Sequence, residues 1–467
     1  MYKTRIHVQL LPGIILAFLV LLTGCGNNTP DWQSSKRAGI LRFTTTFGPG
    51  SYFETRTGAA GFEYELAQQF AVNNGLKLKL IPVNKPETIR EYLVTNKALI
   101  GGGLLVTRPQ DNLSMGPPYL NVPLELVYRR GDKKPDNLKT SPDSNLVISR
   151  EEYENLKVQY PELKQNINDK KTTSEILEMI QTNSAGSTIA NSMMVSLYRQ
   201  MYPDIKVAFK VSNPLPVSWL YRSNDVELDR AIKKFFSEIN ENGVLDKLLE
   251  KYFGSTDIYD YIEQTTFLSR IPERLHLYEP LFRKIADRYY LDWTLLAAIS
   301  YQESHWQVNA KSPTGVRGLM MITQDTAKHL GIDDRTDPEQ SIEGGTRYYI
   351  EMLDKIPDRI QMPDRRWLAL AAYNVGFQNL ETARVITQKD GGNPDHWNDV
   401  SKTMKKLQQQ SYKPDYTKST IRWSEPVRYV NNIRVYRDLL RWEDYKRYRN
   451  KPESEPVDIL STISPAL

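Results

Sequence analysis

Residues 291–304 read Leu-Asp-Trp-Thr-Leu-Leu-Ala-Ala-Ile-Ser-Tyr-Gln-Glu-Ser. Wound as a helix, the stretch places Leu296, Ile299 and Glu303 at i, i+3 and i+7, on one face. A carboxyl group therefore sits at the end of an apolar stripe, where the helix meets a core. Burial there disfavours the charged form and raises the pKa, and a glutamic acid titrating near neutrality is suited to deliver a proton. Taken alone, a glutamate at a frayed helix end would look the same. The segments that follow supply the context.

C-terminal to this stretch every segment reads helical: 323–330, 341–355, 365–375, 380–386, 395–406 and 426–445, with 278–290 just before it. No strand alternation of any length interrupts them, so 278–450 is expected to be an all-α domain. Working back toward the N-terminus, 258–277 has an irregular pattern and is expected to be a connection, and 37–257 alternates in character. Ile40–Thr46 is a strand candidate. Phe62, Leu66 and Phe70 form a helical stripe that stops at Gly75, and Leu76, Leu78 and Leu80 alternate with lysines. A helix candidate follows at 87–96, then an apolar run at 99–106. Strand and helix in alternation imply an α/β domain with a largely parallel sheet. Helices over 227–242 and 244–253 close it. The fold class is thus multidomain: an α/β two-lobed domain, then an all-α one.

The first residues set the compartment. Lys3 and Arg5 precede an apolar run, Val8–Leu22, of signal-peptide length, and Leu22-Thr23-Gly24-Cys25 follows. This resembles a bacterial lipobox, which implies removal of residues 1–24 and acylation of Cys25. Gly26, in place of an aspartate, favours the outer membrane, with 25–36 as anchor and tether. Cys25 is the only cysteine, so an intrachain disulfide is excluded. A net charge of +5, on 61 basic and 56 acidic residues mixed along the chain, makes no case for nucleic acid. The histidines are scattered and His305 has no partner at i+4, so no metal is expected, and no cofactor. The Arg- and Tyr-rich stretch from Arg434 to Arg449 reads as a solvated face, and 451–467 as a tail.

Three stretches beyond the helix of Glu303 carry further information. Pro313-Thr314-Gly315-Val316-Arg317-Gly318-Leu319-Met320-Met321-Ile322 is a loop whose glycines let backbone approach a ligand. Ala371-Ala372-Tyr373-Asn374-Val375-Gly376 sets a tyrosine and an asparagine among small residues. Tyr429, Ile433, Tyr436 and Leu440 share one helix face. With Glu303-Ser304, these resemble, in order, the soluble lytic transglycosylase catalytic domain, a lysozyme-like fold. The resemblance implies a peptidoglycan lyase that splits the bond between N-acetylmuramic acid and N-acetylglucosamine, with Glu303 as acid and then base. It further implies that Ser304 orients Glu303, that Tyr373 holds the N-acetyl group or the charged intermediate, and that Asn374 and Tyr429 contact saccharide. The family's loop carries a glutamine where this chain has Met321, so that polar contact is lost or supplied by backbone. A lysozyme-type hydrolase using the same acid, or a solute-binding lipoprotein with a silent helical domain, remain as alternatives.

Residues 37–255 are similar to extracellular solute-binding proteins of the polar amino-acid type, through Gly39-Ile40-Leu41-Arg42, Gly61-Phe62-Glu63-Tyr64-Glu65-Leu66-Ala67, Gly116-Pro117-Pro118-Tyr119 and Asn242-Gly243-Val244-Leu245. That implies two lobes around a cleft for a small ligand, an amino acid or muropeptide. The arginine that clamps a ligand carboxylate falls at Gln110, with Arg108 as a substitute, and the acid that holds a ligand ammonium falls at Asn191. Peptidoglycan, a small ligand in the front domain and the outer membrane are therefore the expected partners.

Overall fold

The structure, a computed structural model of the chain, describes residues 31–48, 50–55, 58–104, 106, 112–138, 145–253, 261–313, 315–409 and 421–449. The signal segment, Cys25, Arg108, Gln110 and the tail 451–467 lie outside them.

The chain enters through a short helix, α1 (Trp32–Ala38), capped by Asp31. The first lobe is built on β1 (Ile40–Thr46), with β2 (Phe53–Thr55) and β3 (Gly58–Ala60) as a side hairpin. It continues with α2 (Phe62–Asn73), β4 (Lys77–Val83), α3 (Pro86–Val94), β5 (Ile100–Gly101) and β6 (Leu113–Met115). Its sheet runs β4-β1-β5-β14-β6, where β14 is Leu220–Arg222. The β4, β1 and β5 strands are parallel, as the alternation implies, but β14 returns antiparallel to both its neighbours. The apolar run at 99–106 is a strand only over β5.

The second lobe is antiparallel at its centre, β11-β8-β12, from β8 (Leu124–Arg129), β11 (Ser187–Asn191) and β12 (Ile205–Lys210). Around it lie β9 (Ile148–Ser149), α4 (Arg150–Leu156), β10 (Ile167–Asn168), α5 (Thr173–Gln181) and α6 (Ser192–Met201). Two antiparallel segments, β7 (Leu120–Val122) and β13 (Leu215–Val217), join the lobes. α7 (Val226–Glu241) and α8 (Val244–Phe253) finish the domain, packing Phe235 and Phe236 against Trp219.

The irregular connection expected over 258–277 is instead helical where it is described: α9 (Tyr261–Arg270) followed by a wide π turn, Ile271–Leu275. The reason is burial. Phe267 stacks on Tyr436 at 4.5 Å and meets Tyr301 edge-on at 4.7 Å, so this segment belongs to the rear domain's core. Then come α10 (His276–Tyr289), α11 (Trp293–Ser304), α12 (Gln324–Leu330), α13 (Pro338–Lys355), α14 (Asp364–Val375), α15 (Phe377–Lys389), α16 (Trp397–Gln408) and α17 (Ser424–Arg449). Among the described residues this part has no strand.

α17 corrects a second expectation. Arg434, Arg437 and Asp444 are buried rather than solvated. α17 lies between the two domains and is covered on both sides. Toward the front, Arg434 donates to the Glu250 carbonyl at 2.6 Å, and Tyr445 and Trp442 meet Phe53 and Tyr198. Toward the rear, Arg283 pairs with Asp444 at 2.7 Å, and Arg437 donates to Asp292 at 3.1 Å. Asp292 also caps α11 through the Thr294 N–H, so α17 and the helix of Glu303 are pinned together at that end.

Candidate active site

α11 is buried over almost all its length, and Glu303 is its last residue but one. His305 and Trp306 both adopt left-handed backbone, φ 50° and 56°, which turns the chain sharply away and leaves the Glu303 carboxyl at the helix end. The Trp306 indole N–H returns to the Ala297 carbonyl at 2.9 Å and holds this turn. At a helix C-terminus the dipole opposes a negative charge. Burial pushes the Glu303 carboxyl up to about 7, and one hydrogen bond, donated by the Tyr429 hydroxyl to Oε1 at 2.6 Å, pulls the other way.

The glycine-punctuated loop is tied to this helix. Ser304 and Ser300 both donate to the Leu319 carbonyl, at 2.9 and 3.0 Å. Ser304 thus spends its hydroxyl on the loop and on the Ser300 carbonyl, and fixes loop against helix rather than touching Glu303 directly. Gly318 is required: its φ is +83°, and a Cβ there would lie 1.8 Å from the Arg335 carbonyl oxygen. Met321 follows with φ 47°, a strained setting for a long side chain.

Tyr373, on α14, donates to the Met320 carbonyl at 3.2 Å and stacks on Tyr429 with ring centroids 6.2 Å apart. Burial, and then the nearby Glu303 charge, raise both phenols far above their usual range, so they stay protonated donors. Asn374, one residue on, is exposed at the end of the same helix. The structure therefore gathers Glu303, Ser304, Tyr373 and Tyr429 around one loop, with Met321 on that loop. Sequence reasoning missed Tyr348, which meets Tyr373 edge-on at 5.0 Å and completes a row of three tyrosines. A signal existed in Gly344-Gly345: a Cβ on Gly345 would strike the Met320 side chain at 2.5 Å, so the pair lets α13 press against the loop.

The front domain holds a cleft of about 630 Å³ between its lobes, lined by Thr46, Ser51, Glu152, Thr173 and Asn191 among others. Asn191 is buried and already employed: its Oδ1 caps α6 at Met194, and its Nδ2 donates to the Leu104 carbonyl across the lobes. Arg108 and Gln110 are outside the described residues. Among the described residues no cluster of histidine, cysteine and carboxylate side chains could hold a metal, and no helix is long and apolar enough to cross a membrane.

Fold and site together define a lytic transglycosylase domain carried behind a two-lobed solute-binding domain. Residues 280–395 match the family model of the transglycosylase SLT domain, and 41–255 that of bacterial extracellular solute-binding proteins, family 3. The chain is 36% identical over 452 residues to membrane-bound lytic murein transglycosylase F of Ectopseudomonas mendocina, covering 94% of this chain and 93% of that one. It is 40% identical over 430 residues to the protein of the same name in Salmonella paratyphi B, covering 90% and 83%. The relative of that name in Citrobacter koseri is 39% identical over 440 residues, covering 92% and 85%. The chain belongs to the membrane-bound lytic murein transglycosylase F family and is a peptidoglycan lyase.

Proposed function

We propose that Glu303 cleaves the glycan by serving first as acid and then as base, with no water consumed. The observation that carries this is the state of its carboxyl. It is held near neutrality by burial with Tyr429 as its hydrogen-bond partner, and no second carboxylate among the described residues perturbs it. A single carboxyl of this kind suits a scheme that uses one acid in turn as donor and acceptor, rather than the paired carboxylates of ordinary glycosidases. In the first step the Glu303 proton passes to the oxygen joining N-acetylmuramic acid to N-acetylglucosamine. The bond from that oxygen to the muramoyl C1 breaks as the substrate's own N-acetyl oxygen attacks C1. In the second step the Glu303 carboxylate takes the proton of the muramoyl 6-hydroxyl. The freed oxygen attacks C1, expels the N-acetyl oxygen and closes a 1,6-anhydro ring.

The tyrosines suit these steps. Tyr429 stabilises the carboxylate left by the first proton transfer. Tyr373 directs its proton to the Met320 carbonyl and keeps lone pairs free to steady the cationic intermediate. Asn374 and the backbone at Met321 are assigned to saccharide contact. Cys25 is assigned the lipid anchor that holds the chain at the periplasmic face of the outer membrane. The front cleft is assigned a small cell-wall ligand, a muropeptide or an amino acid. α17 offers the route by which that ligand acts on the groove, because this one helix borders the front domain and carries Tyr429.

Digestion of purified sacculi with the products weighed tests the chemistry. Anhydro ends, lighter than reducing ends by one water, are the expected result, and they should be absent with Glu303→Gln. Reducing ends would turn the enzyme into a hydrolase using the same acid.

A further inference from the structure

Much of what shapes the glycine-punctuated loop at 315–322 comes from outside it, from the turn at 333–341 between α12 and α13. That turn is stiffened by its own side chains. Asp334 accepts from the Thr336 N–H and hydroxyl, at 2.8 and 2.6 Å, and Gln340 accepts from the Asp333 and Asp334 N–H groups, at 3.2 and 3.1 Å. Asp337 caps α13 through the Gln340 N–H at 2.8 Å. Short polar side chains bonded to nearby backbone hold a turn in one conformation. Two groups reach from it into the loop. Arg335 Nη1 donates to the Ile322 carbonyl at 2.9 Å and, over a longer 3.3 Å, to the Gly315 carbonyl, so one nitrogen ties the two ends of the loop. The fully buried Ser341 hydroxyl accepts from the Met320 N–H at 3.2 Å. Among the described residues the Arg335 guanidinium bonds to these loop carbonyls and not to a carboxylate, so what it supplies is geometry. Between the tied ends lie the Leu319 and Met320 carbonyls, which receive Ser304 and Tyr373.

We infer that Arg335 is a positioning residue of the transglycosylase: by tying the ends of the loop it holds the helix of Glu303 and the Tyr373 phenol at the spacing the reaction needs. The inference rests on the roles proposed above for Glu303 and Tyr373, and adds the side chain that keeps them in register. Arg335 acts through the Leu319 and Met320 carbonyls and not on the glycan. Misplacing a reacting group by about 1 Å can cost on the order of 10²-fold in rate, so a slackened loop shows in turnover more than in binding.

The test measures initial rates of the full chain on soluble, uncrosslinked glycan strands, well below the melting temperature. Arg335→Met, which keeps an apolar stem and removes the donor, should lower kcat about 10-fold with KM within about 2-fold of the wild type. Arg335→Lys, which restores a donating nitrogen, should recover most of that loss. In a Tyr373→Phe background the same Arg335→Met change should cost less than about 3-fold, because the phenol it positions is already gone. Should Arg335→Met fail to fold, Arg335→Gln takes its place in both backgrounds with the same expectation. A wild-type kcat in the Arg335 variant, or a loss of equal size with and without the Tyr373 hydroxyl, would overturn the inference and leave Glu303 and Tyr373 in their roles. Wild-type rates in Glu303→Gln and Tyr373→Phe themselves would overturn the reading beneath it.

Discussion

Two glutamates, Glu63 fully buried in the front domain and Glu303 half-buried in the rear one, sit at opposite ends of their helices and keep different company. Glu63 occupies the first turn of α2, where the helix dipole favours a negative charge. Its carboxylate accepts from the Gly103 and Leu104 backbone N–H groups, at 3.1 and 2.9 Å, from the Trp219 indole at 2.9 Å, and from the Tyr119 hydroxyl. Burial is the larger influence and leaves its pKa raised, and these four donors pull it only part of the way back. All its partners donate, which suits an ionised carboxylate, and they come from the segments that cross between the lobes. Glu303 occupies the last turn of α11, against the dipole, with one donor. The lesson is that burial alone makes neither a catalyst nor a structural post. The number of donors and the end of the helix decide which one a buried carboxyl becomes.

Exchanging the carboxyl for an amide should therefore act oppositely at the two positions. The largest effect is on rate: Glu303→Gln should lower turnover on sacculi by about 10³-fold, the scale of a lost general acid, measured by release of soluble products. Next is stability at the other site. Glu63→Gln should destabilise the chain by about 2–4 kcal/mol in denaturant unfolding, because it strips charge from four donors and turns an amide N–H toward some of them. An unchanged midpoint would remove Glu63 from the role of hinge post.

A smaller effect sharpens the single-donor side of the contrast. Tyr429→Phe deletes the bond that favours the ionised form, so the Glu303 pKa should rise further. The alkaline limb of the pH–rate profile should then move to higher pH, while kcat/KM falls about 10-fold. A profile that keeps its shape would reduce Tyr429 to a packing residue. The smallest effect is on stability with pH. A carboxyl whose folded pKa lies above its unfolded value contributes stability that is present below the unfolded pKa and lost as pH rises through the folded one. Between about 4.5 and about 7 the wild type should lose stability that Glu303→Gln keeps. Since Glu303 is partly open to the groove, the difference should be about 1–2 kcal/mol above pH 7.

Much of this arrangement was legible in the sequence because its signals are local. Ile40–Thr46, Val244–Phe253 and Trp293–Ser304 have the bounds that their patterns give. Glu303 declared itself by its place at the end of an apolar stripe. What was not legible depends on contacts between distant segments. The arginines of α17 look solvated until the front domain covers them, and the helix at 261–270 looks irregular until Phe267 finds Tyr301 and Tyr436. Asn191 stood at a ligand position by resemblance, but its side chain caps a helix and reaches Leu104. The donor count at Glu63 is likewise assembled from 40 to 156 residues away along the chain, and no pattern within α2 announces it.

The most direct measurement is the titration of Glu303 itself. With ¹³C at the glutamate δ-carboxyl carbons, the full chain should show a resonance that is absent in Glu303→Gln and titrates with a midpoint near 7. A midpoint near 4.5, the ordinary value for a glutamate, would mean that the group is charged at neutral pH and is not the proton donor.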